Sequence, residues 1–351
     1  MKKQVACLLA ALLITGLLSA CANAPDNAGN TDNTKKIKIV STIFPQYDWT
    51  KQIIGENADN VEMTLLLDNG VDLHSFQPTA DDIIKISTCD LFIYVGGESD
   101  SWVESALKSA SNENMVVINL LETLGDAAKA EELVEGMEAD EHHHHEGEGQ
   151  EEHHDEHSHE DGHQEEHDHD GDMEYDEHIW LSLQNAQTLC RHIAARLCEI
   201  DSQHAQVYTA NADAYIQRLG DLDTRYRQVV SSAAYNTMLF GDRFPFRYLA
   251  DDYGLSYYAA FAGCSAETEA SFETISFLSN KVDELGLKSV LTIDGTQHKI
   301  AQTIIENTLQ KDQRVLTLNS MQSITSKEVQ NGMDYLSVME QNLAVLRDAL
   351  N

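Results

Sequence analysis

The chain has 351 residues, 23 lysines and arginines against 59 aspartates and glutamates, and a formal net charge of -36. At roughly 100–200 residues per domain that length suits two domains, and the 42% hydrophobic content is enough to bury real cores. The acidity excludes nucleic acid as a partner, because phosphates would be repelled, and favours cations or metal ions.

The N-terminus reads as targeting sequence. Lys2 and Lys3 precede an apolar run over residues 5–18, too short to span a bilayer as a mature helix. The run ends in Leu18-Ser19-Ala20-Cys21, which resembles a bacterial lipobox with Cys21 as the lipidated residue. An ordinary secretory signal that leaves Cys21 free is the alternative. Residues 1–20 are then the signal peptide and 21–36 a flexible tether rich in Asn, Asp, Gly and Pro. Lipidation would anchor the protein outside the cytoplasmic membrane by acyl chains.

Short β-branched and aromatic runs follow at residues 37–43, 61–67, 91–95 and 115–120, and again at 237–240, 255–261, 289–293 and 314–318. Several are continuously apolar, as strands covered on both faces are. Helix-spaced apolar residues lie between them, at 79–88, 101–110, 270–285 and 299–310. Alternating strands and helices predict two α/β lobes with parallel sheets, at 37–137 and 232–351. Between them, residues 178–231 read as helical. Tyr208, Ala212, Tyr215, Leu219, Leu222, Tyr226 and Val229 form one apolar stripe, expected to pack within the molecule and to tie both lobes; a coiled-coil dimer is the alternative.

Residues 138–177 break the pattern. They hold 19 acidic residues and no Lys or Arg, and predict a mobile loop. Its histidines are His142, His143, His144, His145, His153, His154, His157, His159, His163, His167 and His169. They are expected either to collect zinc weakly or only to solubilise the segment. Cys89, Cys190, Cys198 and Cys264 remain in the mature chain. They read as small core residues whose pairing is open; with no Cys-x-x-Cys, a cysteine zinc site is not expected.

Two histidines stand where ligands bind α/β sheets. His74 lies in Gly70-Val71-Asp72-Leu73-His74-Ser75-Phe76-Gln77-Pro78, after a strand, and His178 precedes a helix capped by Ser182. Either alone could be structural. With their surroundings, the chain resembles the metal-binding solute-binding lipoproteins that serve zinc and manganese ABC importers. The resemblance rests on the 70–78 segment, on Glu177-His178-Ile179-Trp180-Leu181-Ser182, on Phe44-Pro45-Gln46-Tyr47-Asp48, on residues 80–95, on Asn211-Ala212-Asp213-Ala214-Tyr215 and on the acidic insertion. It implies an α/β fold of two (β/α)4 lobes with four-stranded parallel sheets, joined by a long rigid helix, with the metal in the interlobe cleft. It also implies His74 and His178 as ligands, an ABC importer permease as partner and a monomer.

The family's remaining two ligands are missing from their expected places. Arg243 or Gly241 occupies the position of the third, and Asn319 matches the final acid. His298 is therefore expected as the third ligand, with Asp242, Asp294 and Asn319 as further candidates. A set rich in imidazole predicts Zn2+ over Mn2+, and affinity falling as pH drops through roughly 6.5. No His-Glu-x-x-His lies in a helix-patterned segment, and Gly-x-Ser-x-Gly and phosphate-loop motifs are absent, so binding is expected and not catalysis. A manganese receptor, a zinc-binding adhesin or envelope buffer and, further off, a zinc hydrolase are the competing readings.

Overall fold

The structure, a computed structural model, describes residues 36–138, 174–265, 269–295 and 297–351. Cys21 and the eleven loop histidines lie outside the described residues.

The first half runs β1 (Ile37–Ser41), α1 (Phe44–Ile54), β2 (Val61–Leu65), α2 (Ala80–Thr88), β3 (Leu91–Tyr94), α3 (Val103–Lys108), β4 (Val116–Asn119) and α4 (Leu120–Leu124). Two long helices follow, α5 (Leu183–Ile200) and α6 (Ala205–Ser231). The second half runs β5 (Thr237–Phe244), α7 (Arg247–Tyr253), β6 (Ser256–Ala262), α8 (Phe272–Leu285), β7 (Ser289–Ile293), α9 (Lys299–Glu306), β8 (Arg314–Leu318), α10 (Ser326–Gln330) and α11 (Tyr335–Ala349). Each half builds one four-stranded sheet, ordered β2-β1-β3-β4 and β6-β5-β7-β8, with every pairing parallel.

All eight strands form at the expected places, because their apolar runs are buried by helices. Helix starts follow side-chain chemistry. Thr79 and Asp82 cap α2 reciprocally, and Ser182 accepts from the Asn185 amide at the start of α5. One boundary differs. β5 continues past Phe240 to Phe244, with an irregular register between Phe240 and Arg243. Residues read as loop from sequence therefore extend the strand towards the sheet's carboxyl end.

α6 spans 27 residues, about 40 Å at 1.5 Å per residue. Its buried side chains are Tyr208, Ala212, Tyr215, Leu219, Leu222 and Tyr226. They pack against α5 and α1 on one side and α7 and α11 on the other. Asn211 donates to the Ile53 carbonyl (3.0 Å), and the Tyr226 hydroxyl donates to the Met339 carbonyl (2.7 Å). The stripe is thus used inside the molecule, joining both halves.

The described ends of the acidic insertion are structured. The Glu138 amide donates to the Ala260 carbonyl (3.0 Å). The Glu131 amide donates to the Glu174 carbonyl, and the Asp176 amide to the Lys129 carbonyl (both 2.8 Å). Residues 138 and 174–177, grouped with the loop from sequence, belong to the packed unit.

Candidate metal centre

Each chemically relevant side chain of the cleft is placed by a local backbone device. His74 sits in a short 3-10 turn, Leu73–Ser75, beyond the carboxyl end of β2. Asp72 opens that turn, and its Oδ1 accepts from the His74 amide (3.0 Å). His178 precedes another 3-10 turn, Ile179–Leu181. The Trp180 indole donates to the Ser320 carbonyl (2.8 Å), and the Tyr335 hydroxyl donates to the Trp180 carbonyl (2.6 Å). Those bonds fasten the His178 turn to the loop after β8 and to the start of α11.

The two imidazoles meet. Their Nε2 atoms are 3.2 Å apart, with ring centroids at 5.2 Å. The opposite nitrogens fix which atoms carry protons. Asp176 Oδ1 lies 3.0 Å from His178 Nδ1 and also accepts from the His178 amide (2.8 Å). A carboxylate only accepts, so His178 carries its proton on Nδ1 and presents a lone pair at Nε2. His74 Nδ1 faces Ser99 Oγ (2.7 Å) and Glu177 Oε2 (3.6 Å), which favours the same tautomer. A carboxylate on the outer ring nitrogen, as Asp176 is on His178, is what orients metal-binding imidazoles. Burial, then the neighbouring His178, pushes the His74 pKa down to about 3, so the ring is neutral at physiological pH.

Cys264 completes the cluster. Among the described residues, the donor atoms of His74, His178 and Cys264 all lie within 4.8 Å of one another. Its position follows from the turn after β6, where its amide donates to Glu131 Oε1 (3.0 Å). Gly263 makes the turn possible, because a Cβ there would sit 2.9 Å from the Phe244 carbonyl and 3.1 Å from the His178 ring. Burial, reinforced by Asp176, Glu131 and Glu177, raises the thiol pKa well above its ordinary value. Gln322, after β8, closes the group: its Nε2 lies 2.6 Å from His178 Nε2 and 3.0 Å from His74 Nε2.

The other expected ligands are placed differently. His298 starts α9 with left-handed backbone (φ 56°) and does not join the donor cluster. Asp242 turns inward, accepting from the Arg243 and Ile293 amides (2.9 and 3.4 Å). Asp294 braces the loop after β8, accepting from the Ser320 amide and hydroxyl and the Ser323 hydroxyl. Asn319 Oδ1 accepts from the Met321 amide (2.8 Å), while its backbone pairs with the Asn342 side chain. None of the four joins the donor cluster among the described residues: Asp242, Asp294 and Asn319 accept from backbone amides, and His298 starts α9.

Arg243 and Gly241 also have defined roles. Arg243 donates to Asp72 Oδ2 (2.7 Å) and to the Ser265 carbonyl (3.3 Å), linking the His74 turn to the Cys264 turn. Burial alone would raise the Asp72 carboxyl, but the Arg243 guanidinium holds it below its usual range. Gly241 is pressed on α9: a Cβ would lie 2.5 Å from the Ala301 Cα. No side chain fits there, so the ligand missing from position 241 has no room to return.

Cys264 was missed because it lacks a cysteine partner in sequence. The only available signal was its place just after a strand, beside Gly263. Gln322 was missed by three positions, in the loop where Asn319 was expected. The expectation that the four cysteines are core residues holds for buried Cys89 and Cys190 and is corrected for Cys264; all four are free thiols.

Comparison with known proteins gives a consistent set. Residues 39–349 match the family model described as zinc-uptake complex component A, periplasmic (ZnuA). The high-affinity zinc uptake system protein ZnuA of Bacillus subtilis is 31% identical over 334 residues, covering 95% of this chain and 94% of that protein. The zinc-binding protein AdcA of Streptococcus pyogenes serotype M3 is 30% identical over 316 residues. The alignment covers 89% of this chain but 56% of AdcA, so the chain spans little more than half of that relative. Among solved structures, the metal-dependent lipoprotein YcdH of Bacillus subtilis has a TM-score of 0.67 at 26% identity, covering 90% of this chain and 99% of that one. The Zn(II)-bound ZnuA-like domain of Streptococcus pneumoniae AdcA has a TM-score of 0.64 at 26% identity, covering 90% and 99%.

Proposed function

The chain belongs to the zinc-uptake complex component A family, and on that premise we propose that it captures Zn2+ through His74 Nε2, His178 Nε2 and Cys264 Sγ. The carrying observation is the 3.2 Å separation of two imidazole lone pairs with a thiol within 4.8 Å. A tetrahedral zinc at 2.0–2.1 Å from each nitrogen would hold them about 3.3 Å apart, and the nitrogen–sulfur edge would be about 3.5 Å. The histidines already stand at the first distance, and the thiol needs only a short approach. A soft sulfur donor beside two imidazoles suits zinc and disfavours manganese, which takes more oxygens.

Capture is followed by delivery to an ABC importer permease, with the protein held outside the membrane by lipid on Cys21. The eleven histidines of the acidic insertion collect zinc weakly. The relatives named above are named for zinc binding and uptake, and no step of this reading is catalytic.

The test is calorimetry and Co2+ substitution of the intact chain. One tight zinc site is expected, and Co2+ should give a sulfur-to-cobalt charge-transfer band. Cys264→Ser should abolish the band and weaken zinc by more than the roughly 10–100-fold that loss of an outer-shell partner causes. A Cys264→Ser protein that keeps full affinity would remove sulfur from the site.

A further inference from the structure

Among the described residues, Gln322 is the carboxamide within hydrogen-bond distance of both imidazole Nε2 atoms, and its chemistry differs from that of a ligand. We infer that the Gln322 carboxamide is a placeholder for the cation: its NH2 group caps both histidine lone pairs, and zinc capture requires it to be displaced. The inference rests on the zinc reading above.

The argument starts from the tautomers. His178 must accept at Nε2, because Asp176 takes the proton on Nδ1. His74 Nδ1 lies 2.7 Å from the Ser99 hydroxyl, which can accept its proton and leave Nε2 with a lone pair. Two lone pairs held 3.2 Å apart repel each other, and His178 is fully buried. An amide NH2 supplies two N–H donors from one atom, and Gln322 Nε2 lies within hydrogen-bond distance of both, at 2.6 and 3.0 Å. A carboxylate in this position has no proton to give. An amide therefore stabilises the two lone pairs in the geometry that zinc needs.

The same lone pairs cannot serve the amide and a cation at once. The other end of the carboxamide, Oε1, is buried and has no hydrogen-bond partner among the described residues. The terminal torsion of glutamine is broad and roughly two-fold, so a half-turn exchanges NH2 for oxygen at little rotamer strain. That turn removes the competing donors and brings a neutral oxygen towards the cation. Gln322 is held in place for it. The loop carrying it is tied by Ser320 to Asp294 and Trp180, by Asn319 to Asn342, and by Ser323 to Asp294. The consequence is a site that is shaped without metal and that releases metal more readily than a charged fourth group would allow.

Nitrogen-resolved NMR of the wild-type chain tests this directly, with zinc as the probe. In the zinc-free protein, both His74 and His178 should be protonated at Nδ1 and unprotonated at Nε2. The Gln322 NH2 signals should be shifted and slow to exchange, and stoichiometric Zn2+ should move them. Gln322→Glu should slow zinc dissociation by about tenfold or more, because a charged oxygen replaces a neutral one and no donor need be broken. An Nε2–H on either histidine, a Gln322 amide indifferent to zinc, or a Gln322→Glu dissociation rate changed by less than about twofold would overturn the placeholder. A wild-type chain that binds no zinc would instead overturn the reading of the site itself.

Discussion

At the scale of single residues, the centre works by deciding which atoms carry protons. Asp176 holds the His178 proton on Nδ1, and loss of that acceptor charge should free the ring to take the wrong tautomer. Asp176→Asn is expected to weaken zinc by roughly 10–100-fold while leaving the fold intact, measured by chelator competition. The pH dependence follows from two opposite shifts. His74 sits near 3, far below the ordinary imidazole, so falling pH through 6.5 does not protonate it in the folded protein. Cys264 is raised well above the ordinary thiol, so at neutral pH it is protonated and must lose that proton to bind as thiolate. Metal binding releases the proton, and affinity should therefore rise by about tenfold per pH unit through the neutral range. Calorimetry in buffers of different ionisation enthalpy counts the proton; none released would contradict thiolate coordination. A thiol that must lose its proton adds to the fall in affinity with falling pH expected from the sequence.

At the scale of elements, the donors are delivered by loops beyond strand carboxyl ends: His74 after β2, Cys264 after β6 and Gln322 after β8. The His74 and His178 positions were legible through the family resemblance of their segments, and the structure adds an Asp two residues before each ring that accepts from its amide. Cys264 and Gln322 were not, because each is a lone residue in a loop whose direction depends on packing. β5 shows the same limit. Its irregular register carries Arg243 to Asp72, and α9 lies so close that position 241 has no space for a side chain. Gly241→Ala should destabilise the protein by about 1–3 kcal/mol, as overpacked sites do. Thermal unfolding measures this, and an unchanged midpoint would show that α9 yields freely. Gly241→His is expected to unfold the region further and to add no ligand.

At the scale of the whole molecule, α6 buries one face against helices from both halves, so the halves are held by a continuous helix and not by flexible crossovers. The turn bearing His178 is fixed from the packed side: the Asp176 amide donates to Lys129, and the Tyr248 hydroxyl donates to the Asp176 carbonyl. Deleting residues 141–170 should therefore keep one tight zinc site and remove weaker binding, read by calorimetry; loss of the tight site would make the insertion part of it. The sequence by itself determined the eight strands and the bridging helix, because apolar periodicity acts over a few neighbouring residues, while the two histidines stood out only through the family resemblance of the segments around them. Only the tertiary structure decided the rest of the centre. His74, His178, Cys264 and Gln322 are separated by 104, 86 and 58 positions in the chain, and whether such groups meet depends on how two sheets and the loops at their ends pack, which no local pattern encodes.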